Sequence, residues 1–237
     1  MSARFAELAF APTRMGDVSL RRRRDPVTGL DVHEVLLGEE FLMSSLFTVA
    51  EVALADLGLA ATPGTDLDVV VGGLGLGWTA RAALEDPRVR RLDVVDALPA
   101  VIDWHHRALL PHAEELTGDP RARLVEGDFF ALTAGDEPYA PDGPAVYDAV
   151  LLDVDHSPRH VLDPSHAPFY TADGLRRLAA RLAPGGVFAL WSDDPPDAPF
   201  LDVLREVLDD VDAHVVPFAN PYTGGESSNT VYVARRR

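Results

Sequence analysis

From residue 67 onward the chain alternates short apolar runs with stretches of helical period. The runs "LDVVV" (67–71), "RLDVVD" (91–96), "ARLVEG" (122–127), "YDAVLLD" (147–153), "GVFALW" (186–191), "AHVVPF" (213–218) and "NTVYVAR" (229–235) predict strands. The stretches 78–85, 99–110, 173–182 and 199–209 predict helices between them. Such alternation builds a mostly parallel sheet with helices on both faces. In these sheets ligands bind beyond the carboxyl ends of the strands, near the point where strand order reverses. Upstream, residues 17–37 read as two extended segments joined by a turn at Asp25–Gly29. Residues 46–57 carry apolar positions at helical spacing, and Gly58 is expected to stop that helix. Pro63 and Gly64 form a short linker, which divides the chain into an N-terminal unit, 1–62, and an α/β unit, 63–237.

Composition narrows the chemistry. The 237 residues, 47% of them hydrophobic, suffice for one full core. No apolar run approaches the roughly 18 residues of a membrane helix, and the first residues lack the pattern of a secretory signal. A cytoplasmic protein is the expectation, with no membrane partner. The chain has no cysteine, lysine or glutamine. That excludes a thiolate nucleophile, a lysine Schiff base and a phosphate loop built on lysine. The net charge of −17 argues against nucleic acid as a partner and is compatible with a cationic substrate. The basic run "RRRR" (21–24) predicts an exposed hairpin edge protected by charge.

The candidate chemistry sits where the strands end. "VVVGGLGLGWTA" (69–80) follows the first strand with a G-x-G-x-G loop at Gly73, Gly75 and Gly77. Trp78 stands where the dinucleotide fingerprint needs its third glycine, so the loop is a tight turn that lets a ligand approach the backbone. Asp96 ends the second strand about twenty residues later, placed to accept from ribose hydroxyls or to cap the next helix. Asp128, in "EGDFF", can accept from an exocyclic amino group, with Phe129 or Phe130 to cover a base. "LLDVDHSPRH" ends the fourth strand with Asp153, Asp155 and His156, three candidate general bases. His156, His160 and His166 match no tight metal motif, and no metal is assigned. His105, His106 and His112 read as positions on or after an exposed helix; Trp78, Trp104 and Trp191 read as packing residues, Trp191 near the cleft.

In order and spacing, "DVVVGGLGLG", "RRLDVVDALPAVI", "RLVEGDFFAL", "YDAVLLDVDHSP" and "FYTADGLRRLAARLAPGGVFALWSDD" resemble successive motifs of the spermidine synthase family, over roughly residues 18–235. The resemblance implies a Rossmann-like class I methyltransferase fold with a mostly parallel seven-stranded sheet and a small N-terminal β-domain, which in that family commonly makes a homodimer contact. It implies a transferase of polyamine biosynthesis that binds decarboxylated S-adenosylmethionine and moves its aminopropyl group to putrescine. By that resemblance Gly72, Gly73, Gly75 and Gly77 pack against the sulfonium moiety. Asp96 and Ala97 hold the ribose, and Gly127, Asp128 and Phe129 meet the adenine. Asp153 takes the place of the first acid of a catalytic D-[ST]-x-D-P segment and deprotonates the attacking amine.

The departures from that pattern fall on the polyamine side. Gly75 replaces an aspartate that contacts the aminopropyl amine. "DVDHSP" puts His156 and Ser157 where a second acid is expected. Met43 lies near the place of a glutamine that lines that family's nucleoside pocket, and a "YHE" tripeptide is reduced to Glu51; these two and Trp191 are the acceptor-side candidates. A polyamine pocket works by setting carboxylates against ammonium groups. The pattern therefore predicts a group transferase using intact S-adenosylmethionine, most simply a methyltransferase acting on a small-molecule acceptor, with Gly75 offering room and backbone N–H groups to the α-carboxylate. The competing readings are a true polyamine aminopropyltransferase and a non-catalytic nucleoside-binding member of the fold.

Overall fold

The computed structural model describes residues 5–13, 16–154 and 156–237. Four antiparallel strands come first: β1 (Phe5–Thr13), β2 (Gly16–Arg24), β3 (Asp31–Leu37) and β4 (Glu40–Ser44), in that spatial order. Helix α1 (Val49–Ala61) leads into β5 (Leu67–Gly72), α2 (Trp78–Glu85), β6 (Val89–Asp96), α3 (Pro99–His106), α4 (Ala113–Gly118) and β7 (Ala122–Glu126). Then follow α5 (Phe129–Ala134), β8 (Tyr147–Leu152), a 3₁₀ turn (Pro164–Tyr170), α6 (Ala172–Arg181), β9 (Leu182–Ser192), α7 (Ala198–Val207), β10 (Asp209–Asn220) and β11 (Gly225–Arg235).

The large sheet runs β10-β11-β9-β8-β5-β6-β7, with β7, β6, β5, β8 and β9 parallel and β11 antiparallel to both its neighbours, β9 and β10. It is the seven-stranded Rossmann-like sheet expected, beside a separate small β-sheet. Alternate residues serve two cores. Val69, Val71, Leu92, Val94, Leu151 and Ala189 face α1 to α4. Val70, Val95, Val150, Leu152, Phe188 and Leu190 face α5 to α7. Strand order reverses between β5 and β8, so the loops leaving those two strands open a crevice at the carboxyl edge. Among the described residues no helix is long and apolar enough to cross a membrane.

Three expectations change in the fold. Gly58 does not end α1 but lies within it, buried. A Cβ there would stand 2.6 Å from Leu151 Cδ2 and 3.1 Å from Ala189 Cβ, so glycine lets the helix settle onto β8 and β9. Helix α1, grouped above with the N-terminal strands, thus packs on the large sheet. Gly58→Ala is expected to lower stability by up to about 2 kcal/mol, because overpacking costs about 1–3 kcal/mol and alanine regains about 1 in a helix. Denaturant titration checks it, and a stabilised variant would mean a looser α1 contact. The arginine run is not an edge either: β2 lies inside the small sheet. Arg21 and Arg23 clasp buried Glu34 at 2.6 and 2.7 Å, and Arg23 also holds buried Asp25 at 2.7 Å. β1 and β4, which the hydrophobic pattern did not announce, complete that sheet.

Candidate active site

β5 and β8 end side by side. The Asp153 N–H donates to the Gly72 carbonyl at 2.8 Å, and a Cβ on Gly73 (φ 96°) would meet the Asp153 carbonyl oxygen at 2.0 Å. Only glycine allows these two loops to touch. Around them lies a cavity of about 300 Å³. Its wall includes Gly73, Gly75, Asp96, Ala97, Asp128, Phe129 and Asp153 from the strand ends, and Leu37, Leu42 and Met43 from the small sheet. Leu98, Phe130, Leu162, Asp163, Ser165 and His166 also line it, and of these the sequence had marked only Phe130 as a candidate to cover a base. Gly72, Gly77, Gly127, Glu51 and Trp191 do not line it. His156 lies off it, with its carbonyl accepting from Asp193 N at 2.7 Å. Asp155 falls outside the described residues.

Asp96 is tied into the loop it faces. Its Oδ2 accepts from Leu74 N at 2.8 Å and Gly75 N at 3.4 Å, and its Oδ1 from Leu98 N at 2.8 Å. Burial pushes its carboxyl up, and the three N–H groups pull the other way. Asp128 caps α5, accepting from Phe130 N and Ala131 N through Oδ1 at 2.9 and 3.0 Å. Its bonds among the described residues run through that oxygen, leaving Oδ2 open to an amino donor. Phe129 lies flat on Tyr139 with ring centroids 5.1 Å apart, and Phe130 stacks on His166 at 3.9 Å. These aromatic pairs and Leu98 give the cavity apolar walls between two carboxylates. That set of acceptors fits an adenosine group, whose ribose hydroxyls and exocyclic amine are donors.

The expectation for Gly75 is corrected. Its N–H is turned to Asp96, and the space beside it is taken by Met43, whose Sδ would lie 3.0 Å from a Cβ at that position. Gly75 therefore lines the cavity with its N–H turned to Asp96 and Met43 along its Cβ direction.

Asp153 sits under the loop with Thr79, whose hydroxyl donates to Asp153 Oδ2 at 2.6 Å and also reaches the Glu51 carbonyl oxygen at 3.2 Å. Thr79 opens α2 directly behind the glycine loop, a position its sequence alone did not mark. Burial pushes Asp153 up to about 6, opposed by the Thr79 bond. Burial and the nearby Asp153 charge push Glu51 up to about 8. Trp191 ends β9 on the face that α1 covers, with its indole N–H buried and unpartnered among the described residues.

Both shifts are upward, so the folded state keeps protons that the unfolded chain releases. The resulting stability is present below Glu51's ordinary 4.5 and is lost as pH rises through about 8. Glu51→Gln should flatten the melting temperature across that window, so that its advantage over the parent grows with pH. Parallel melting curves at all pH values would refute the burial of that carboxyl.

The fold is that of the spermidine synthases. The spermidine synthase of Thermotoga maritima superposes with a TM-score of 0.72 over 98% of this chain and 73% of that one, at 17% identity. A probable spermidine synthase from Corynebacterium glutamicum gives 0.64 over 97% and 80%, at 18% identity. In sequence, the chain is 28% identical over 134 residues to a putrescine N-methyltransferase of Nicotiana tabacum, covering 56% of this chain and 32% of that protein. It is 30% identical over 140 residues to a polyamine aminopropyltransferase of Mycobacterium tuberculosis, covering 59% and 25%. The matches thus span a third or less of these curated relatives. No protein-family profile matches the chain.

Proposed function

We propose that this protein is a group transferase of spermidine-synthase-like fold that binds S-adenosylmethionine and methylates a small-molecule acceptor. When bound, that nucleoside supplies an electrophilic methyl carbon on sulfonium. The chain's own residues then have separate tasks. Asp96 accepts from the ribose hydroxyls with the lone pairs its loop bonds leave, and Asp128 Oδ2 accepts from the adenine amino group. Asp153, raised toward neutrality and fixed by Thr79, takes the proton from the nucleophile. The Glu51–Asp153 pair favours a nucleophile that arrives as a cation, such as an amine, because buried carboxyls gain from a compensating positive charge.

The observation that carries methyl over aminopropyl transfer is at Gly75. Intact S-adenosylmethionine and its decarboxylated form share one ammonium and differ by the carboxylate, which an acid at position 75 would repel; this loop presents no side chain there. The likeness to putrescine N-methyltransferases supports this reading. Aminopropyl transfer is the second reading, supported by the likeness to a polyamine aminopropyltransferase. Calorimetry with S-adenosylmethionine and its decarboxylated form, followed by mass spectrometry of the thioether product, separates them. Tighter binding of the intact form and release of S-adenosylhomocysteine are expected. Preference for the decarboxylated form, with methylthioadenosine released, would transfer the assignment to aminopropyl chemistry.

A further inference from the structure

His105 was expected on an exposed helix face, yet its side chain is 1% exposed. It lies in the last turn of α3, directly beneath the glycine loop. Its Nε2 is 3.0 Å from the Gly75 carbonyl oxygen. A carbonyl only accepts, so Nε2 carries the proton and Nδ1 is the lone-pair nitrogen. Nδ1 is buried and has no partner among the described residues. A second proton there would place an unpaired N–H and a charge in the core, so the ring is held neutral. Burial pushes its pKa down, and the adjacent His106 adds to that.

The loop is shaped around this ring. Gly77 (φ 87°) gives it room, because a Cβ there would stand 2.9 Å from His105 Cε1. Gly75 (φ 48°) is gripped at both ends: its N–H by Asp96 Oδ2 at 3.4 Å and its carbonyl by His105. A glycine has few conformational limits of its own, so a loop carrying three of them needs outside contacts to select one shape. We propose that His105 is a positioning residue: its neutral imidazole, donating from Nε2 to the Gly75 carbonyl, acts with Asp96 to hold the glycine loop in the one conformation that receives the nucleoside. The proposal rests on the reading of this cavity as a nucleoside site. It touches no reacting atom, and it assigns the loop's rigidity to a residue about thirty positions further along the chain.

The test compares His105→Leu, which removes the donor at similar bulk, with His105→Gln, whose amide N–H takes the place of Nε2–H. Three measurements are made on each folded protein: calorimetric affinity for S-adenosylhomocysteine, hydrogen exchange of the amides of residues 73–77, and thermal stability. His105→Leu should bind at least about tenfold more weakly and exchange faster in the loop, and His105→Gln should stay within about threefold of the parent. Equal loss in both variants would show that ring packing, not the donated bond, matters, and parent-like exchange in His105→Leu would overturn the proposal outright. A parent protein that does not bind the nucleoside would instead overturn the functional reading, and the exchange data would still judge the latch. Should His105→Leu fail to fold, long-range proton–nitrogen NMR of the parent decides. The Nε2–H tautomer at neutral pH is expected, and an Nδ1–H or doubly protonated ring would refute the bond.

Discussion

Asp153→Asn should lower turnover at least about a hundredfold, the scale of losing a general base, while leaving nucleoside affinity nearly intact. The expectation follows from where Asp153 stands. It directly follows β8, its N–H is bonded to Gly72, and its carboxylate is fixed by Thr79 at 2.6 Å. At about 6 its pKa leaves it ionised at neutral pH and more basic than an ordinary aspartate. Asparagine keeps the shape and an acceptor for Thr79 but has no basic oxygen. A pH–rate profile with the identified acceptor is the measurement. The acid limb near pH 6 in the parent should vanish with the base. His156→Ala should cost less, because His156 lies off the cavity wall. If Asp153→Asn kept full activity while His156→Ala abolished it, the base would be His156, and the strand-end assignment would fall.

Asp96→Ala carries the second large effect, and it has two parts. Removing the carboxylate takes away the ribose acceptor, expected to weaken nucleoside binding by about 1–3 kcal/mol. It also releases Leu74 N, Gly75 N and Leu98 N, which lose their shared partner. The glycine loop should loosen on the side opposite His105, so faster amide exchange at residues 74 and 75 is expected beside the affinity loss. Calorimetry on the folded variant checks the first part and hydrogen exchange the second. An unchanged affinity would remove Asp96 from the site, whatever the loop does.

The two variants test different parts of one crevice; both carboxyls were legible along the chain, and the residues that support them were not. The spacing from the glycine loop to Asp96, and the placement of Asp128 and Asp153 behind apolar runs, put those carboxyls at strand ends before any coordinates. Asp153 and Asp96 do meet in one cavity, with Gly73 and Gly75 between them. Residues whose role depends on a neighbour from a distant element were not legible. Thr79 is 74 positions from Asp153, and its hydroxyl matters only because α2 starts beside the end of β8. Glu51 becomes a half-buried carboxyl with a raised pKa because α1 packs on the large sheet and brings its first turn against Thr79.

Hydrophobic periodicity reports which face of an element is apolar, and that is a local property. It determined the seven strands of the large sheet, five of the helices, and the parallel α/β class with its crevice. It could not say what the apolar face meets. Gly58 reads as a helix stop by propensity, but close packing against Leu151 and Ala189 makes it an interior position. The arginine run reads as an edge by charge, but Glu34 and Asp25, buried on and beside the neighbouring strand, absorb it. His105 reads as a polar residue on a helix surface, but the glycine loop closes over it and turns it into a core donor. In each case a tertiary partner supplied the bond or the contact that local preference lacked.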